Sequence, residues 1–341
     1  MKALYLQKIG SLSLTDAEKP LPRADELLVR IEACGICGTD RHLYKGEFPS
    51  RPPVTIGHEF AGIIEAVGSQ VTDFSPGMRV TGDPNIFCGR CPECHGGRVH
   101  LCRNLTAIGI HRNGGFAQYV ALPEKQAVEL PLTLDPLWGA FCEPLACCLH
   151  GVDLANIKPG SSAIVIGGGV IGMLVVQLAR LAGAAKVILV TRNAAKRKLA
   201  ESLGATATLD PAPGDVIARV KAAGGLLPGG ADVVFECAGL KETVEQAPHL
   251  VAPGGAAMIM GVLPKGERVE IEPFDLLLHE VRILTSLINP FTHRRAAELI
   301  ASGTIAVEPL ISRTIGLDEA IDVISHPAPN GEIRALVLPN G

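Results

Sequence analysis

The chain of 341 residues contains no apolar stretch long enough to span a bilayer, because a spanning helix needs about 20 consecutive apolar residues. Its opening, MKALYLQKIG, has no apolar core of a secretory signal, so a cytoplasmic location is expected. Long runs of one charge are also missing. The 31 basic and 35 acidic residues leave a net charge of −4, which gives no support to nucleic-acid or membrane-surface binding. Aromatic residues make up 4%, which predicts an aliphatic core. Internal repeats and low-complexity tracts are absent too. The length suggests roughly two domains and is ample for a large core.

What the chain does have is cysteine, ten in all. In a reducing compartment such usage points to metal binding rather than to disulfides. Four of the ten stand in FCGRCPECHGGRVHLC as Cys88, Cys91, Cys94 and Cys102. The spacing C-x2-C-x2-C-x7-C reads as a closed tetrahedral zinc site. Four thiolates leave no position open for substrate, so this metal is expected to be structural. Disulfides or unpaired core thiols are the alternative.

The rhythm of the sequence changes near residue 151. Residues 1–150 look β-rich, with strands expected over Glu26–Ala33 and Glu59–Val67. Residues 151–288 alternate short apolar strands with helices, which implies a doubly wound parallel sheet. Residues 289–341 return to mixed character and end in the strand-like ALVLP. Between the strand SAIVI and a helix lies Gly167-Gly168-Gly169-Val170-Ile171-Gly172, a G-x-G-x-x-G pattern in the context that gives it meaning. It predicts a dinucleotide pyrophosphate over the helix N-terminus, with Val170 and Ile171 in the first turn.

The next strand end carries Thr191-Arg192 where an acid would bind the adenosine ribose hydroxyls. Thr191 does not repel a 2′-phosphate and Arg192 can pair with one. Lys196 and Arg197 follow within a turn. A preference for NADP(H) over NAD(H) is expected, with Arg192 and Lys196 as contacts; a solvated cationic helix face is the plainer alternative.

Cys37 in ACGICGTDRH, His58-Glu59 in TIGHEFAGIIEAVG and Glu143 in FCEPLACCLHG come from separate segments. A cysteine, a histidine and a carboxylate can hold a zinc with one position open, as a catalytic zinc requires. Spacing alone does not prove this. The run from Gly57 to Val71, however, resembles the G-H-E-x-x-G-x5-G-x-x-V signature of the zinc-containing medium-chain dehydrogenase/reductase family. The cysteine loop, the glycine motif and their order match as well, so the likeness covers essentially the whole chain. The polyol (sorbitol-type) and threonine dehydrogenase branches are nearest in pattern, because they carry a glutamate in E-P-L-A.

The resemblance implies an α/β protein with a GroES-like catalytic domain over 1–150, rejoined by 289–341, and a Rossmann domain over 151–288. It implies two zinc ions per chain. Cys37 and His58 would be the firmest ligands of the catalytic one, and Glu59 and Glu143 would bind directly, through water or in exchange. Thr39 matches the family's proton-relay hydroxyl and His42 a histidine passing the proton to solvent. Asp40 would orient the metal shell, and Arg334 matches a basic residue that reaches the pyrophosphate. Asn289 falls near the expected nicotinamide position. Tyr44, Phe48, Phe87 and Phe116 are pocket candidates, with core packing the plainer reading. The expected activity is hydride transfer between a small-molecule secondary alcohol, polyol or sugar and NADP(H), by a homotetramer or homodimer. Its rivals are an NAD-linked L-threonine 3-dehydrogenase and a catalytically silent NADPH-binding protein on the same fold.

Overall fold

The computed structural model describes residues 1–341 and divides into two compact units, Met1–Ala146 with Asn289–Gly341, and Cys147–Ile288. In the first unit the strands are β1 (Lys2–Lys8), β2 (Ser11–Asp16), β3 (Glu26–Gly35), β4 (Val54–Thr55), β5 (Glu59–Val67), β6 (Arg79–Gly82), β7 (Asn85–Ile86), β8 (Thr106–Ala107), β9 (Tyr119–Pro123) and β10 (Ala127–Leu130), with β17 (Ile311–Ile315) and β18 (Arg334–Val337) from the C-terminal segment. A seven-stranded sheet runs β10-β6-β5-β3-β18-β17, with β9 also paired to β3. β3 is buried along almost its whole length, because it packs Leu27, Val29, Ile31 and Cys34 into a core with Phe60, Ile64, Phe116 and Leu122. Burial of each such side chain contributes about 1.5–3 kcal/mol. The C-terminal β18 lies antiparallel on β3, pairing Leu336 with Gly35 and Val337 with Cys34. This brings Arg334 to the end of β3 from which the loop to Cys37 departs.

Helix α1 (Gly38–Lys45) follows β3, α2 (Pro92–His95) lies in the cysteine loop, and α3 (Cys142–Ala155) carries the chain toward the second unit. Helices α9 (His293–Ala301) and α10 (Ala320–Ser325) belong to the returning segment.

The second unit is a six-stranded parallel sheet. Its strands are β11 (Ser162–Ile166), β12 (Lys186–Val190), β13 (Ala207–Leu209), β14 (Ala231–Glu236), β15 (Val251–Ile259) and β16 (Arg282–Thr285), in the order β13-β12-β11-β14-β15-β16. The interleaved helices are α4 (Val170–Leu181), α5 (Ala194–Ser202), α6 (Val216–Lys221), α7 (Lys241–Gln246) and α8 (Pro273–His279). SAIVI and KVILV read as unbroken apolar runs because both faces of the sheet are covered. Helix α7 ends at Gln246 and the chain continues as a 3-10 turn over Ala247–Leu250. Pro248 lacks the N–H that would extend the α ladder. The strand order reverses between β11 and β14, and the glycine motif lies at that switch point, where open α/β sheets bind ligands. No helix of the chain is long and apolar enough to cross a membrane.

Candidate active site

The sulfurs of Cys88, Cys91, Cys94 and Cys102 lie within 4.8 Å of one another. All ten cysteines are unbridged, and Cys91 Sγ and Cys94 Sγ stand 3.4 Å apart, far beyond disulfide length. Positive φ at Gly89 and Gly97 lets the loop wrap the group. The amides of Cys88 and Asn104 both donate to Cys102 Sγ at 3.3 Å. Glu93 and Arg103 close the loop from outside with contacts of 3.0–3.2 Å. Backbone N–H groups, that of Arg90 first, draw the Cys88 thiol down to about 6. Burial and the neighbouring thiols push Cys94 up to about 12. Without a cation the four thiols cannot ionise together, so the donor set fits a tetrahedral thiophilic ion.

A second group unites Cys37, His58 and Glu59, whose ligand atoms also fall within 4.8 Å of one another. Cys37 caps the N-terminus of α1, while Glu59 opens β5 and His58 directly precedes it. Asp40, fully buried, serves both sides of this group. Its Oδ2 accepts from the Cys37 amide at 2.8 Å, and its Oδ1 lies 3.6 Å from His58 Nδ1. Burial works against a charged His58 ring, yet Asp40 and Cys37 outweigh it and hold the imidazole well above its ordinary value.

Two buried polar atoms here, Asp40 Oδ1 and His58 Nδ1, have no hydrogen-bond partner, and Glu59 Oε2 has only the Arg334 guanidinium, 3.2 Å away. Each such orphan costs about 1–3 kcal/mol. A dication held by Cys37, His58 and Glu59 would add a second cationic partner for the Glu59 carboxylate beside Arg334. Its charge also favours the neutral His58, whose Nδ1 then faces Asp40 as the second partner of a metal-bound imidazole. The thiolate, imidazole and carboxylate donors suit zinc, so the residues present fit the ion.

Glu143 stands outside this three-residue group. It is buried in the first turn of α3, and that helix does not bring its carboxylate within the same 4.8 Å. Arg334 has a neighbour the sequence does not announce. It is buried, its Nη1 is 3.2 Å from Glu59 Oε2, and it donates to the Ile36 carbonyl. The space for this pair comes from Gly35, opposite Glu59 in the β3–β5 register, where a Cβ would strike Glu59 Oε2. Thr39 Oγ1 lies 3.6 Å from Cys37 Sγ. His42 Nδ1 is 2.7 Å from Glu47 Oε2 on the same side of the loop.

In the second unit Gly169 is the N-cap of α4, and the first N–H groups of that helix have no intrahelical acceptor. Nothing lies within 4 Å of a Cβ placed on Gly169, whereas a Cβ on Gly172 would collide with the Gly167 carbonyl. Thr191 Oγ1 lies over Gly168, Arg192 is exposed, and Asn193 caps α5 by accepting from the Lys196 amide at 3.0 Å.

Asn289 is not open to a nicotinamide through its side chain. It is buried in the first unit, where Asn85 Nδ2 donates to it at 2.7 Å and its own Nδ2 lies 3.3 Å from His293 Nδ1 and 3.4 Å from Asp83 Oδ1. Thr81 Oγ1 approaches His293 Nε2 at 3.2 Å. The network joins strand ends about 200 residues apart in the chain, and no local pattern announces it. Of the four aromatic pocket candidates, Phe116 is fully buried, and Tyr44 and Phe48 pack on the core. Phe87 is exposed and meets Phe291 edge-on at 6.1 Å.

Burial takes His293 down to about 3. The unfolded chain binds that proton from the ordinary value of 6.5, so stability falls as pH drops through this interval. Asp83, pushed up to about 6 by burial, acts oppositely: between 3.8 and 6 the folded chain holds a proton that the unfolded chain has shed. The His293 interval is the wider, so the pair together destabilises the fold in acid. Melting temperature measured across this range should decline toward acid. The decline should be shallower in His293→Gln and steeper in Asp83→Asn.

Comparison with known proteins bears on the whole chain. Residues 23–132 match the alcohol dehydrogenase GroES-like domain, and residues 170–302 match the zinc-binding dehydrogenase family. An L-threonine 3-dehydrogenase of Bacillus subtilis is 34% identical over 94% of this chain and 93% of its own. D-arabinitol dehydrogenase 1 of Uromyces fabae is 30% identical over 100% and 97%. A Sinorhizobium meliloti 1021 protein, solved bound to NADP, is 64% identical, with a TM-score of 0.98 and 99% of each chain covered. The chain belongs to the zinc-type medium-chain dehydrogenases, oxidoreductases that join a GroES-like domain to a Rossmann-like parallel sheet.

Proposed function

We propose that this protein oxidises a polyol or related secondary alcohol, or reduces the corresponding ketone, with NADP(H) as the hydride carrier. The observation that carries the reading is the Cys37–His58–Glu59 group, paired with a ribose-binding turn that offers Thr191-Arg192 and no acid. The relatives include an arabinitol dehydrogenase and a protein solved with NADP.

Cys37, His58 and Glu59 would hold one zinc and the four-cysteine loop another. The first would supply Lewis-acid polarisation of an alcohol oxygen, which lowers the pKa of its hydroxyl. The chain's own residues do the positioning. Asp40 fixes the Cys37 backbone and faces the His58 ring, and Arg334 draws the Glu59 carboxylate back over Gly35. Thr39 Oγ1 would take the proton of the alcohol as it releases its own, and His42, with its Nδ1 steadied by Glu47, would pass a proton to solvent. Glu143, outside the three-residue group, would bind the ion through water. Gly169 and the first turn of α4, with Val170 and Ile171, take the pyrophosphate; Arg192, with Lys196 beside it, takes the 2′-phosphate.

The protein works as a homotetramer or homodimer in the cytoplasm, where unbridged cysteines are the rule. The test is kcat/KM for NADP+ and NAD+, measured with a panel of polyols, secondary alcohols, aldoses and L-threonine. A preference for NADP+ of at least about tenfold with a polyol is expected, in line with one charge-assisted contact to the extra phosphate. Preference for NAD+ sinks the cofactor assignment, and turnover of threonine alone sinks the substrate class.

A further inference from the structure

We infer that Arg197 is a positioning residue for cofactor choice: it does not bind the 2′-phosphate but fixes the Thr191-Arg192 turn that does. The inference rests on the NADP(H) reading and goes beyond it, by separating the cations of one helix end into a contact and a support.

Arg197 lies one turn into α5, and its guanidinium folds back under the preceding turn. Nη1 donates to the Thr191 carbonyl at 2.7 Å and to the Arg192 carbonyl at 2.8 Å. The same nitrogen is 3.1 Å from Asp210 Oδ2, just past the end of β13. Asp210 is itself held, with its Oδ1 accepting from the Ala212 amide at 2.9 Å. Its carbonyl accepts from Arg219, whose Nη1 also reaches the Pro213 carbonyl at 3.1 Å. The Thr191 amide donates to the Leu209 carbonyl at 3.0 Å, and Asn193 caps the helix. The two carbonyls and the Thr191 amide of the turn are therefore tied down.

The side chain of Arg192, by contrast, is exposed. It is free to meet a ligand, while its backbone is fixed by Arg197. The Asp210 carboxylate neutralises Arg197 and holds it against the two carbonyls. A guanidinium so engaged is a poor phosphate ligand, yet two carbonyl bonds from its one nitrogen Nη1 fix the backbone from which the Arg192 side chain leaves.

The test compares Arg192→Ala, Arg197→Gln, Asp210→Asn and the double variant Arg192→Ala/Arg197→Gln. The readout is the ratio of kcat/KM for NADP+ over NAD+, with melting temperature measured alongside. Arg197→Gln and Asp210→Asn should each lower the ratio about tenfold, mainly through KM for NADP+, as loss of a charged hydrogen bond allows. The double variant should be no worse in ratio than Arg192→Ala alone, because Arg197 acts through Arg192 and the effects do not add.

The sign of Asp210→Asn separates the two roles. A direct phosphate ligand released from its carboxylate would bind NADP+ more tightly, and a rising ratio overturns the inference. Additive losses in the double variant overturn it too. So does a parallel fall for both cofactors at an unchanged ratio, which marks a structural brace only. Asp210→Asn, nearly isosteric, keeps the question answerable if Arg197→Gln folds poorly. The wild-type ratio is read first: if it favours NAD+, the cofactor assignment itself fails. If it favours NADP+ and the variants leave it unmoved, only the role of Arg197 fails.

Discussion

His58→Ala, like Cys37→Ser, should reduce turnover by at least about a thousandfold while NADP(H) still binds, because the metal's polarising effect is lost with its ligand. The two halves of that result come from different parts of the chain. The cofactor motif and the Thr191-Arg192 turn belong to the Cys147–Ile288 unit, and the His58 group belongs to the other. Removing the ring leaves Cys37 and Glu59 as the remaining close donors and leaves Asp40 Oδ1 facing a void. A modest drop in melting temperature is expected for that reason. Zinc content should fall by one ion per chain, and NADPH binding, followed by fluorescence, should persist. A His58→Ala protein shown to lack that zinc yet retaining activity would falsify the assignment.

Cys91→Ser should act on the fold instead. Cys91 is buried, caps α2 and lies 3.4 Å from Cys94, so its loss opens the closed thiolate set. The loop has little else to hold it. The α2 helix is four residues long and buries none of its side chains, and the Glu93–Arg103 pair is largely exposed. Metal binding by such a loop is folding free energy, on the order of several kcal/mol. Melting temperature should fall by several degrees and zinc content by one ion per chain, with the kinetic constants of the surviving folded enzyme changed less than in His58→Ala. Unchanged zinc content and melting temperature would show that the four cysteines bind nothing.

Much of the fold could be read from residue order. The runs SAIVI and KVILV and the glycines between strand and helix define a parallel sheet locally, because each signal spans a few neighbouring residues. β5 starts and stops at Glu59 and Val67 as the pattern of its apolar residues requires. The site was less legible, and the reason is distance in sequence. Arg334 meets Glu59 only because β18 returns to β3, and Gly35 matters only because the register sets it opposite Glu59. Asp40 was visible as a neighbour of Cys37, but its approach to His58 depends on how β5 begins. The Asn85–Asn289–His293 network leaves no trace in spacing at all. Arg197 looked like one more cation beside Arg192, and its bonds to two carbonyls appear only when α5 is folded.

The glycine motif of α4 invites a closing distinction. At Gly172 the chain itself fills the space a side chain would need, since the Gly167 carbonyl stands there; at Gly169 the protein leaves that space open. Two identical residues three positions apart thus answer to different demands. Gly172 is required by the polypeptide for its own packing and would be kept in a descendant that had lost its cofactor. At Gly169 the fold makes no such demand, so a need for glycine there would come from the proposed pyrophosphate, and a lineage freed from that ligand could fill the position. The motif that marks a dinucleotide site is therefore partly a record of folding and partly a record of use, and only the second part erodes when the use ends.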